Sequence, residues 1–158
     1  MHAISRVGSL AIVSAALICS TIGCGSSRPT YPKEHLADSL QDLLSKDHVH
    51  AAVRFIDHTV AVQFDYPNAL LQDGPHQFGI GPSFDEAIRK VLLPIHRVLL
   101  SSDAQVRFYV LLLSDPKIPG AYLTMVRYVD DVRRANANML DTPEMFARTI
   151  FEDRKSVV

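Results

Sequence analysis

The sequence has no tryptophan and only two cysteines in 158 residues. Both cysteines, Cys19 and Cys24, lie near the N-terminus. A domain built from the residues that follow has no disulfide, no thiol nucleophile and no thiolate metal site. A basic excess is missing too: 16 Lys and Arg stand against 17 Asp and Glu, for a net charge of −1. No basic field exists to recruit nucleic acid. The apolar run from Val7 to Ile18 falls short of the ~20 residues that a membrane span takes.

What is there begins with that run. His2 and Arg6 precede it, and its length is that of the apolar region of an export signal. Small or modest residues follow it, Ser20-Thr21-Ile22-Gly23-Cys24-Gly25-Ser26-Ser27. This segment resembles the lipobox of bacterial lipoproteins, in which a small residue precedes an invariant cysteine. Gly23 and Cys24 fill those two places, while Thr21 stands where the family usually has Leu. The resemblance implies cleavage after Gly23 and attachment of a diacylglyceryl group to Cys24. Two or more acyl chains anchor a protein stably, at ~0.8 kcal/mol per buried methylene. The partner so implied is a membrane, reached without a spanning helix. Gly25 in place of an Asp after the cysteine implies the outer membrane in a cell that has one. An ordinary cleaved signal, or an uncleaved anchor, is the alternative. The division that follows is a signal peptide at 1–23, a tether at 24–32 and one globular domain at 33–158. The tether is rich in Gly, Ser and Pro; extended, it spans roughly 25 Å, which keeps the domain close to the bilayer.

Within the domain the apolar periods set the elements. Leu36, Leu40, Leu43 and Leu44 form a helical stripe that predicts a helix over Pro32–Lys46. Strands are expected at Val49–Ile56 and Thr59–Tyr66 with Asp57-His58 at the tip. A two-residue turn there pairs Phe55 with Val60, Val53 with Val62 and Ala51 with Phe64, leaving Arg54 and Gln63 on the other face. A one-residue slip destroys that separation. Pro67–Pro82 reads as a loop. Ser83 and Glu86 form a capping-box pattern before a second helix, with Pro94 predicting a kink or a split near Leu93. A second strand pair is expected at Gln105–Ser114 and Gly120–Val129 around the loop Asp115–Pro119. The stretch Asp130–Asn138 fits a strand extension or a helical turn. A last helix starts near Asp141, capped with Glu144.

The order is αββαββα. It predicts an α+β fold: two αββ units making one four-stranded antiparallel sheet packed by helices. Leu43-Leu44-Ser45-Lys46-Asp47 and Leu99-Leu100-Ser101-Ser102-Asp103 echo each other before the two strand pairs, as a duplication would leave them. The order resembles that of small envelope modules such as the BON domain, but no glycine pattern carries that assignment. Both alternating sets of the later strands are apolar, so those strands should be covered on both faces. The C-terminal stripe Met139, Phe146, Ile150 is the expected cover near Met125 and Tyr109.

Chemistry-bearing clusters are sparse. His48 and His50 share a strand face, but the hairpin carries His58 roughly 25 Å away, so no metal site is expected. Gly79-x-Gly81 lacks the third glycine of a phosphate loop, since Phe84 stands there. Asp130, Asp131, Arg133 and Arg134 make a charge cluster that suits a recognition patch better than a catalytic dyad, because adjacent carboxylates diverge. No cofactor is implied. The reading is a lipid-anchored envelope protein with a non-catalytic binding or scaffolding domain and a possible envelope protein partner. The alternatives are an acid–base enzyme drawing on Asp115, Asp130, Asp131 and His96, or a carrier of a small or lipidic ligand.

The anchor is testable directly. Cys24→Ser is expected to release the protein from membranes, or leave it uncleaved, and to remove the mass of the acyl chains. Unchanged partitioning into detergent with an unchanged mass sinks the lipobox reading.

Overall fold

The computed structural model describes residues 30–74 and 77–155; the expected signal peptide, cleavage site and lipidated cysteine lie outside them. A 3-10 turn at Lys33–His35 leads into α1, Leu36–Lys46. Leu36, Leu40 and Leu44 are buried on one side of α1, as the four-residue spacing requires. β1 (Ala51–Ile56) and β2 (Thr59–Asp65) follow. Their register pairs Ala51 with Phe64, Val53 with Val62 and Phe55 with Val60, the pairing that the apolar pattern demands. Asp57 takes the left-handed conformation at the tip, φ 53°.

The segment expected to be a loop contains β3, Leu70–Gln72, and β4, Phe78–Ile80, which pair antiparallel as a separate two-stranded sheet. Three-residue strands are too short to show alternation, so the pattern hides them. A side chain at Gly81 would run into the Asn68 carbonyl, and its amide binds the Ala69 carbonyl at 2.8 Å. The glycine serves this close backbone approach.

α2 runs Phe84–Leu100 as one helix through Pro94, so of the expected kink or split near Leu93 the split does not occur. The Ser83 side chain makes no capping bond. Glu86 instead accepts from the Tyr66 hydroxyl at 2.8 Å and pairs with Lys90 at 2.9 Å. β5 (Phe108–Ser114) and β6 (Ala121–Tyr128) form the second antiparallel pair. The ambiguous stretch is helical, α3 at Val129–Asn136. α4, Thr142–Ala147, starts at Asp141, whose carboxylate accepts from the Glu144 amide at 2.7 Å. The last element is a strand, β7, Ile150–Lys155.

The large sheet has five strands in the order β1-β2-β5-β6-β7. Each αββ unit keeps its antiparallel pair, but β2 and β5 run parallel, with Val62 opposite Leu111. This corrects the all-antiparallel, four-stranded expectation. Short links reverse the chain; the long link from β2 to β5 contains α2, which carries the chain back so that β5 starts at the same end as β2.

α1 and α2 pack on one face of this sheet. Leu40, Leu44, Val91, Ile95 and Val98 meet Val60, Val62, Phe64, Tyr109, Leu111 and Met125 in one buried cluster. The opposite face carries Ala61, Val110, Leu112 and Val126, with Ile56, Phe108, Tyr128 and Ile150 more exposed. None of these residues belongs to a core cluster. The expected cover fails: Phe146 is 57% and Ile150 64% exposed. α4 is too short to span the sheet, and the chain after it turns extended and pairs along the free edge of β6. Tyr109 and Met125 lie on the helix-covered face instead.

The layering predicts unequal costs along β2. Val62→Asp places an unpaired charge among the helices and should cost about 3–5 kcal/mol in urea melts. Gln63→Asp, on the open face, should cost under about 1 kcal/mol. Equal losses would overturn the register.

Candidate functional site, a groove over a buried arginine

α2 carries more apolar surface than the core uses. Ala87, Val91, Ile95 and Val98 face the sheet and are buried. Ile88, Leu92 and Leu93 continue the apolar arc sideways, and Leu93 is 64% exposed. Facing this second stripe are Met125 on β6, Phe151 on β7 and Phe146 on α4. The Phe146 and Phe151 rings stack at 5.3 Å between centroids. A groove of about 490 Å³ lies between the two walls. Small-ligand sites commonly occupy ~300–1,000 Å³ and are mostly apolar with a few placed polar groups.

The polar group here is Arg127. It follows Leu123 and Met125 on the inward side of β6, is 4% exposed, and lines the groove. Its Nε donates to Thr149 Oγ1 at 2.9 Å, and that hydroxyl donates to the Met145 carbonyl at 2.8 Å. The Arg127 charge also acts on the Tyr109 hydroxyl, pulling its pKa down against the larger rise from burial. Tyr109 in turn shares a hydrogen bond of 3.1 Å with His96 Nε2, with the rings edge to face. The network therefore runs His96, Tyr109, Arg127, Thr149 beneath the groove.

Electrostatics isolate the charge. Burial first, and then the Arg127 charge, push the His96 pKa down to about 4. Burial pushes Tyr109 up to about 12, against the pull of Arg127. Both neighbours are neutral near pH 7. No carboxylate of the described residues pairs with Arg127. A buried cation without a counter-charge is costly. Chemically, the arrangement offers a charged fork in apolar surroundings, which suits recognition of an anion.

The residues singled out in the sequence scatter. Asp131 is 3% exposed and joins α3 to α4: its Oδ2 meets Arg148 Nε at 3.0 Å and its Oδ1 meets Arg134 at 3.8 Å. Asp130 and Arg133 are exposed and Arg134 half-buried, so the four do not share one surface. Asp115 is buried, and its two oxygens accept from the amides of Leu70 at 3.2 Å and Lys117 at 2.9 Å. That ties the β5–β6 turn to β3. His58 contacts the Gln105 carbonyl at 2.7 Å, while His48 and His50 are exposed. Among the described residues no three His, Asp or Glu converge as a metal site would need. Of the acid–base candidates, His96 alone reaches the groove. Arg127 was missed, though the pattern held a signal: a charge in phase with the inward-facing Met125.

No family model, curated protein or solved structure matches this chain.

His96 gives a pH test. Its folded pKa, about 4, lies below the ordinary 6.5, so the unfolded chain binds the proton more readily. Stability should be full above pH 6.5 and fall as pH drops from 6.5 towards 4, by at most ~1.4 kcal/mol per pH unit. His96→Gln should flatten this limb in urea midpoints measured from pH 7 to 5. An unchanged slope means His96 is not the group.

Proposed function

We propose that this chain is a lipid-anchored envelope protein, held by Cys24 and facing away from the cytoplasm, whose domain binds a small apolar-rich ligand without transforming it. The observation that carries the binding reading is the groove itself: two apolar walls about a buried guanidinium, with solvent reaching Leu93 and Phe146. Leaving such surface bare is unfavourable by about 25 cal/mol per Å², and a ligand that covers it recovers that free energy. A groove with paired titratable groups near neutrality would favour catalysis; here the His96 and Tyr109 pKa values are displaced to about 4 and about 12, away from the range where acid–base work is done. Among the described residues no helix is long and apolar enough to cross a membrane.

A neutral fluorescent probe, N-phenyl-1-naphthylamine, tests the site. Phe146→Asp is expected to weaken its binding at least fivefold with little change in the urea midpoint, since that ring is already largely exposed. Ile56→Asp, on the helix-free sheet face, should leave binding unchanged. The reverse pattern, or no binding by the parent, overturns the groove as the functional site.

A further inference from the structure

Arg127 lies at the His96 end of the α2 wall: both line the groove, and Arg127 is the cross-strand neighbour of Tyr109, whose hydroxyl meets His96 at 3.1 Å. Asp85 sits on the same wall eleven positions earlier, roughly 16 Å along the helix at 1.5 Å per residue. Between them the wall is Ile88, Leu92 and Leu93, flanked by Arg89, one helical turn from Asp85. The groove thus has a cationic floor at one end, an apolar middle and an acidic group with a neighbouring cation at the other.

We infer that the ligand is an alkyl carboxylate, with its acid group on Arg127 and its chain lying along α2 towards Ile88. This rests on the groove being the binding site. The charge argument selects the head. Arg127 is buried with a hydroxyl partner and no carboxylate among the described residues, so an incoming anion supplies the missing counter-charge through a charge-assisted, two-pronged bond. It also selects a single negative charge. The groups joined to Arg127 by bond or charge, Thr149, Tyr109 and His96, are uncharged near neutral pH, so they add no second positive charge beneath the head. The far end carries an acid, Asp85, as well as Arg89, so it offers the head no net positive charge, and this sets the direction. The apolar middle and the Phe146–Phe151 stack take the alkyl chain.

The experiment uses the chain from Gly25 onward, because every described core residue lies at Tyr31 or later. Four probes with the same tail are titrated by calorimetry: decanoate, decanol, decyl phosphate and decyltrimethylammonium. Decanoate should bind at least tenfold more tightly than decanol and decyltrimethylammonium, and no more weakly than decyl phosphate. The carboxyl of ¹³C-labelled decanoate should titrate about one pH unit lower in the complex than free, as a carboxylate beside a guanidinium does. Arg127→Met should bring decanoate to the level of decanol; the ¹³C titration on the parent decides the matter even where that variant fails to fold. Equal binding of decanol and decanoate overturns the carboxylate while leaving the groove as a binding site. Preference for decyl phosphate overturns the choice of head. Binding of none of the four overturns the carboxylate and the groove reading together.

Discussion

The position of α2 is the constraint on which the rest depends. It is the link between β2 and β5, and a helical link of that length returns the chain to start a parallel strand. Its inner stripe closes the core over Val60, Tyr109 and Leu111. Its outer stripe, one step round the helix, is left as a wall. The same seventeen-residue helix therefore builds the core and the groove, and Pro94, buried inside it, does not interrupt it.

The C-terminal segment supplies the second wall. Asp141 caps α4, Arg148 ties it to the buried Asp131 of α3, and Thr149 anchors both α4 and Arg127. β7 then lies against β6 and brings Phe151 into contact with Phe146. The Asp131–Arg148 pair and the Thr149 bonds tie down the end of α4 next to Phe146. Asp131 thereby affects the site as a positioning residue for α4 without facing the ligand space.

The other face of the sheet shows what β7 did not do. By pairing at the edge it left Val110, Leu112 and Val126 with no described helix above them. Edge strands invite association, and charges are a common way to blunt them. Arg54 on β1 and Glu152 and Asp153 on β7 place charge at the two edges of this sheet.

The sequence by itself determined whatever rests on neighbours a few residues apart. The α1 stripe, the β1–β2 register, the antiparallel β5–β6 pair and the Asp141 cap follow from periods of two or 3.6 and from local hydrogen bonds, so they could be read directly. Ser83 shows the limit even there: the capping pattern was present, but Glu86 was drawn to Tyr66 and Lys90. The parallel β2–β5 joint, the addition of β7 and the bare face were decided by tertiary structure, because they pair residues about fifty positions apart in one case and depend on competition for an edge in another. The groove belongs to this second class. His96 could be named from the sequence as a titratable residue, but its neutrality comes from burial against Tyr109 and Arg127. Arg127 carries no sign of its role in the sequence beyond its phase with Met125; the fold turned it inward, covered it with α2 and α4, and brought no carboxylate of the described residues to meet it.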